Sequence, residues 1–482
     1  MYGLACDAKC IADLLPRPAS PPRRDNVHHL DALGKSVQRA NGPQSRRGVR
    51  GVQPLVQVWR IHACQFDLTH RAVSSQTDNM SVQVDAAGVC DVAICGAGPA
   101  GLLLAGELAA GGISVVVLDR ADRPSPIPKA NGIVGHSAVA LAEHGVIAGT
   151  SLRVVSPPRF QFGPLELKLG LRPGNPLHVL PISQRRLEEL LGHRATQHGA
   201  TVCRGNEVIG FGQTDSQVTV RIQVGHATTT RQARYLVGCD GARSFVRKHA
   251  GIGFPGFTSD EIAYIARVTI PVDQITGTGD GFHIDGVGHV AAMRPNQMRG
   301  GGFSIAPAAA LDPSASDDLY LISTHEPRGK AEPRDAASVE DLRGSLGRVL
   351  GTDLPFTDAS GIRSTVGSSR QADAYRLGRV FLAGDAAHVF NAGGASLNVG
   401  LQDAFDLAGR LTAVLHDQAS ADELDGYEVA RRPAGERALR HTRAQAALGG
   451  TDEVSRALRE TVGELTTRRS VARRLARLIE AS

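Results

Sequence analysis

One stretch constrains this chain more than any other: Val92-Ala93-Ile94-Cys95-Gly96-Ala97-Gly98-Pro99-Ala100-Gly101. A short apolar run enters the pattern Gly96-x-Gly98-x-x-Gly101, and a helical pattern from Leu102 to Leu108 leaves it. A second apolar run, Ser114 to Leu118, then closes on Asp119. Strand, glycine turn, helix, strand and acid, in that order, are the parts of a dinucleotide site. Gly96 makes the tight turn, Gly98 lets backbone approach a pyrophosphate, and Gly101 lets helix and strand pack closely. The helix start offers free N–H groups and a positive dipole end, and Asp119 can accept hydrogen bonds from a ribose diol. Glycines alone would say little in a chain with 55 of them; the flanking strands and the acid carry the inference.

A chain of 482 residues should hold two or more domains. No uncharged apolar run reaches the roughly 18–20 residues of a membrane span, so a soluble protein is expected. The formal charge of +5 sits in residues 1–79, which hold 11 Lys and Arg against 6 Asp and no Glu. The rest is balanced and gives no argument for nucleic acid. Residues 1–79 are also proline- and arginine-rich, with little periodicity despite Trp59. We read them as a disordered or non-native leader, with Met80 the functional start. Seven cysteines at irregular spacing argue against a disulfide framework or zinc site and for a cytoplasmic protein.

Two further motifs repeat the logic of the first. The apolar run Tyr235 to Cys239 ends in Asp240-Gly241-Ala242-Arg243-Ser244, and Val380 to Ala383 ends in Gly384-Asp385-Ala386-Ala387-His388. Ligands of open parallel sheets bind beyond the carboxyl ends of the strands, so three such ends can converge on one extended ligand. Between the motifs the pattern predicts helices over 137–145, 183–191, 336–350 and 398–416. It also predicts a strand pair within 153–171, a short strand at 177–182 and a meander over 201–224 with turns near Gly205 and Asp215. Strands near 262–270, 287–293, 302–305 and 319–325 mark a second, sheet-rich region, in which His283, His289 and His325 read as ordinary sheet residues. The end of the chain is helical, with Leu465, Val471, Leu475 and Leu478 placed on one face.

The three motifs in this order resemble the fingerprints of single-component FAD-dependent aromatic hydroxylases, the relatives of para-hydroxybenzoate hydroxylase. The chain is most similar to the actinomycete polyketide hydroxylases among them. Pro128-Lys129-Ala130-Asn131-Gly132, Gln184-Arg185-Arg186-Leu187-Glu188 and Gly400-Leu401-Gln402-Asp403-Ala404 add to the likeness, which covers about residues 88–482. The resemblance implies an α/β fold: a Rossmann-like FAD-binding domain, a second β-sheet-rich substrate domain and a C-terminal helical segment. The FAD-binding domain would be discontinuous, over 88–150, 183–256 and 361–416. The substrate domain would take 151–182 and 257–360, and the C-terminal helices 417–482. The thioredoxin-like C-terminal domain of many relatives is not expected in this chain.

The resemblance also implies the cofactor contacts. Gly96, Gly98, Ala100 and Gly101 would hold the FAD pyrophosphate and Asp119 the adenosine ribose. Arg120 and Lys129 would lie by the adenine and phosphates, and Gln184 near the flavin. Asp240 and Gly241 belong to a motif tied to FAD and NADPH together, and Asp385 would bind the ribitol chain. Gly393, Gly394, Leu397 and Asn398 would turn backbone N–H groups toward the flavin pyrimidine edge. A helix start is suited to that edge, because reduced flavin is negative near N1 and O2.

The implied reaction is NADPH (or NADH) reduction of FAD, oxygen addition at flavin C4a, and hydroperoxide transfer of one oxygen atom to an electron-rich ring. Its partners are an aromatic substrate and O2, with no nucleic acid, no membrane and no metal, in a monomer or homodimer. No catalytic residue stands out; His388 is a candidate proton carrier, although it follows a buried strand and can equally cap the loop. Arg243 and Arg247 read as structural or pyrophosphate-facing. Same-fold alternatives are a Baeyer–Villiger-type oxygenase, a flavin reductase or dehydrogenase, or a non-catalytic flavin protein. A flavin halogenase is disfavoured, since no Trp follows residue 79. One departure stands out: the relatives' Pro-Pro-x-Gly-Gly-Gln-Gly is here Phe390-Asn391-Ala392-Gly393-Gly394-Ala395-Ser396.

Overall fold

The computed structural model describes residues 89–125, 132–171, 174–310, 315–329, 331–334, 336–391, 395–450 and 452–481. The expected leader, Met80, Lys129, Gly393 and Gly394 lie outside the described residues.

The first motif grows out of the centre of a mainly parallel sheet. Five parallel strands run in the order Thr201–Arg204, Val115–Asp119, Cys90–Cys95, Ala227–Gly238 and Val380–Leu382. Strands covered on both faces read as unbroken apolar runs. Val92, Ala93, Ile94, Val117, Leu236, Val237 and Phe381 accordingly have no exposed surface. Register does the rest: Cys95 stands opposite Leu118 and Gly238, and Gly238 stands opposite Leu382. Backbone bonds continue the alignment one step past the strands, from Cys239 N to Cys95 O (2.7 Å) and from Ala383 N to Gly238 O (3.0 Å). All three glycine–aspartate motifs therefore leave the sheet at one edge and one level. The strand order also reverses at Cys90–Cys95, the switch point where open sheets bind ligands.

Helices Pro99–Ala110, Gln184–Gln197 and Ala395–Leu415 pack with this sheet in one apolar core. The fit is close. A Cβ at Gly106 would stand 3.6 Å from Ala195 Cα, and one at Gly111 would stand 3.0 Å from Thr412 Cγ2.

The expected meander over 201–224 is partly corrected. Thr201–Arg204 is the outer parallel strand, with Arg204 opposite Asp119. Asn206–Gln213 and Val218–Val224 alone form the antiparallel ribbon that pairs on to Ala227–Ala233. The breaks expected near Gly205 and Asp215 do separate the three strands; what differs is the partner of the first one, which is Val115–Asp119.

A second sheet of six strands is antiparallel, in the order Asn296–Met298, Gly301–Pro307, Leu319–Pro327, Gly256–Thr269, Asp358–Gln371 and His388–Val389. One face is apolar at every second position (Ile262, Tyr264, Ala266, Val268) and packs on Leu342, Leu346 and Val349 of helix Val339–Leu350. Ser338 and Asp341 close a capping box at that helix's start. The last strand begins at His388, so the third motif runs directly from the parallel sheet into the antiparallel one.

A third core joins the hairpin Arg159–Phe162/Leu165–Lys168 and the pair Gly132–Val134/Val179–Pro181 to helices Asp425–Gly449, Glu453–Thr466 and Arg469–Glu480. The face buried by the last helix is Ala472, Ala476 and Ile479, whereas Leu465 and Leu478 are 50% and 44% exposed. The expected leucine face is therefore split: Leu465 lies on the preceding helix, Leu475 packs against this core, and Leu478 is exposed. Its end is fixed by Glu480, which accepts from His178 N (2.9 Å) and pairs with His178 Nδ1 (2.7 Å). Gly135 passes so near that a Cβ there would stand 2.5 Å from Glu480 O. Among the described residues no helix is long and apolar enough to cross a membrane.

Candidate active site

The aligned strand ends border a cavity of about 410 Å³. Gly96, Gly98, Asp119, Arg120, Gln184, Asp240 and Gly241 all line it. Seven positions expected from the sequence are therefore gathered in one place. Ala100 and Gly101 lie in the first turn of the helix that starts there.

The three glycines of the first motif have different duties. Gly96 has φ +109°, and a Cβ on it would stand 2.4 Å from Cys239 O. A Cβ on Gly101 would stand 2.0 Å from Gly96 O. Both positions are closed to any side chain by backbone. Gly98 is the opposite: a Cβ there meets nothing within 4 Å, so the space beside it is open. Gly98 caps the helix with no side-chain hydrogen bond, and Pro99 follows at the first turn. The first intrahelical bond is Leu102 N to Gly98 O (2.9 Å), which leaves the N–H groups of Ala100 and Gly101 uncommitted. An uncapped helix start facing open space beside a bare glycine fits a pyrophosphate.

Asp119 and Asp240 show what carboxylates do at such turns. Asp119 accepts from Ala97 N (2.6 Å) and Ala121 N (2.8 Å), which pins both turns beside it. Asp240 accepts from Ser244 Oγ (2.5 Å), Phe245 N (2.6 Å) and Val246 N (3.0 Å), capping helix Phe245–His249. Five arginines (Arg120, Arg123, Arg185, Arg204, Arg243) face four carboxylates around the cavity, a balance suited to a dianionic pyrophosphate. Cys95 and Cys239 also line it. Burial first, and then Asp240, push both thiols well above their ordinary range, so they are neutral and weak nucleophiles.

The second and third motifs are tied together. Arg247 is buried and donates from Nη1 to Ala386 O (2.8 Å) and from Nη2 to Ala242 O (3.0 Å), stacked 3.7 Å over Phe254. Desolvation lowers its pKa, but the guanidinium stays charged. Arg247 is a strut, while Arg243 faces the cavity.

Asp385, Leu397 and Asn398 do not line this cavity. Asp385 is exposed on the turn after Val380–Leu382. That turn touches the other two elements: a Cβ on Gly384 would stand 3.2 Å from Ala100 Cβ, and one on Gly400 would stand 2.8 Å from Gly384 Cα. Asn398 is buried; its Oδ1 accepts from Val134 N (2.9 Å) and its carbonyl accepts from Ser137 Oγ (2.8 Å).

His388 is fully buried and does not line this cavity. Its Nε2 lies 2.6 Å from Asp403 Oδ2, which also accepts from Gly384 N (3.1 Å). Arg431 Nε donates to Asp403 Oδ1 (2.8 Å), and its Nη2 donates to Val399 O (3.2 Å). Burial raises the Asp403 carboxyl, but His388 and Arg431 together hold it below the usual carboxylate range. His388 Nδ1 has no partner, and the ring stacks on Phe390 at 5.0 Å. The geometry is that of a clamp on the third motif rather than of a proton carrier facing solvent.

Sequence reasoning missed Asp403 and Arg431 as a pair, and Arg123, Arg204 and Asn206 as cavity residues. Arg204 could have been found, since it ends a strand level with Asp119. Asp403 stands in a quoted motif, but its partners come from two other elements.

Comparison with known proteins agrees with this geometry. The FAD binding domain family matches residues 89–442. A 12-dehydrotetracycline 5-monooxygenase/anhydrotetracycline 6-monooxygenase of Streptomyces rimosus subsp. rimosus is 36% identical over 396 residues, 81% of this chain and 76% of that protein. An aromatic hydroxylase from angucycline biosynthesis shares the fold at TM-score 0.71 and 29% identity, covering 82% of this chain and 76% of that one. A Diels–Alderase from pyrroindomycin biosynthesis matches equally well, at TM-score 0.71 and 29% identity over 81% and 80%. The chain belongs to the FAD binding domain family and is an FAD-dependent monooxygenase with NAD(P)H as reductant.

Proposed function

We propose that this monooxygenase hydroxylates an aromatic ring of a polyketide-type substrate. One observation carries the reading: register sets three glycine–aspartate motifs at one sheet edge, and the first two line an open cavity there. The tetracycline-acting relative supplies the substrate class. Bound FAD would supply the redox chemistry, taking a hydride from NAD(P)H and passing one oxygen atom of O2 to an electron-rich carbon, the other leaving as water. The chain binds and orients. The N–H groups of Ala100 and Gly101, with Gly96 and Gly98 behind them, take the pyrophosphate, and Asp119 takes the adenosine ribose. Arg120 and Lys129 serve the adenine and phosphate end, while Gln184, Asp240 and Gly241 border the middle of the dinucleotide. Asp385 binds ribitol hydroxyls, and Gly393, Gly394, Leu397 and Asn398 present the turn to the pyrimidine edge. The protein works in the cytoplasm as a monomer or homodimer.

The test is the purified protein itself. It should be yellow, and its NADPH oxidation should rise several-fold on adding anhydrotetracycline, with one oxygen atom gained by the product. NADH in place of NADPH identifies the reductant. Colourless protein that binds no added FAD sinks the reading. The Diels–Alderase neighbour gives the second reading, a cycloaddition on the same fold that consumes no NAD(P)H. Bound FAD with no NADPH oxidation under any aromatic substrate selects it.

A further inference from the structure

A second cavity lies away from the strand ends, among the C-terminal helices, with a volume of about 430 Å³. One stripe of helix Asp425–Gly449 forms its floor, and the stripe changes character along its length. Arg437, Arg440 and His441 come first, followed by Ala444, Ala447 and Leu448. At about 1.5 Å rise per residue, the stripe from Arg437 to Leu448 measures about 16 Å. Leu458 and Val462 form one wall and Leu475 and Leu478 another, with Leu458 and Leu478 each 44% exposed.

The charge is one-sided. No carboxylate lines the cavity, and among the described residues neither Arg437 nor Arg440 is in an ion pair. His441 adds no charge, since burial takes its pKa down to about 4. Its tautomer follows from its neighbour: Gln445 Oε1 accepts from Gly163 N (3.0 Å), so Gln445 Nε2 donates to His441 Nδ1 (3.0 Å).

We propose that this groove is a binding site for an apolar molecule ending in a carboxylate. The acid meets Arg437 and Arg440, and about 10–12 Å of hydrocarbon runs over Ala444 toward Leu448, a length set by the helix rise. Cavities of this size with an apolar lining and a few converging polar groups are the usual form of small-molecule sites. The planar guanidinium of arginine recognises carboxylates bidentately, which gives the site its head-group preference.

Decanoate is the probe, titrated calorimetrically into the FAD-loaded protein, with decylammonium and decanol as controls. Decanoate should bind at least tenfold more tightly than decylammonium. Arg437→Gln with Arg440→Gln should weaken decanoate at least tenfold and leave decanol unchanged; both positions are exposed, so folding is not at stake. Ala444→Trp should abolish binding of decanoate and decanol together, with the flavin spectrum unaltered in every variant. Equal binding of decylammonium, unchanged decanoate binding in the double arginine variant, or binding that survives Ala444→Trp each overturns the proposal. So does a wild-type dimer that Ala444→Trp converts to monomer, because a second copy would then be the occupant.

Discussion

The glycine turn and the Asp403 clamp hold neighbouring parts of one site by opposite means. The turn works by leaving side chains out: Gly96 and Gly101 are pressed against backbone, and Gly98 stands beside open space. The clamp works by burying charge, a carboxylate with three donors drawn from the third motif and a helix beyond it. A turn made of missing atoms can be read from local sequence and tolerates no additions. A clamp made of charges cannot be read locally and tolerates no deletions.

Removing the carboxylate should show the largest effect. Asp403→Ala leaves Arg431 and His388 buried without their acceptor, a loss of about 3–5 kcal/mol by analogy with broken buried pairs. Denaturant unfolding of the apoprotein measures it, and a loss under 1 kcal/mol would mean the clamp is idle. Gly101→Ala comes next, since its Cβ would lie 2.0 Å from Gly96 O and backbone must move. Overpacking of this kind costs about 1–3 kcal/mol, and FAD content should fall with it. Gly98→Ala should separate binding from folding. The fold should lose about 1 kcal/mol or less, the range for exchanging a helix cap, while FAD retention drops steeply. Equal loss of both would erase the distinction between the glycines.

The smallest effect is a pH dependence. The folded Asp403 carboxyl is held below its ordinary range, so its stabilisation is full above an unfolded pKa of about 4 and is lost as pH falls through the lower folded value. The stability gap between the wild type and Asp403→Asn should therefore be constant near pH 6–7 and narrow below about pH 4. A gap that widens in acid would show that Asp403 is not held as a carboxylate.

Legibility in the sequence follows the same divide. Gly96, Asp119, Asp240 and the strands they end were readable because each signal is a few residues long. The pairing of Thr201–Arg204 was not legible because its partner, Val115–Asp119, is distant in sequence, although the turn at Gly205 that ends it was. The last helix was legible only in part: Leu475 and Leu478 both border the groove, but Leu475 also packs against the core that Ala472, Ala476 and Ile479 enter. His388 looked like chemistry because histidine so often is, and only its burial against Asp403 shows what it grips.

The bond from Glu480 to His178 also has a consequence in time. Its partners are 302 residues apart. At about 5–20 residues per second, the ribosome needs roughly 15–60 s to travel from one to the other. Through that interval the pair Gly132–Val134/Val179–Pro181 waits for the helix that will close it, and its edge is open to other chains. Slowed synthesis between those two codons should lengthen that exposure.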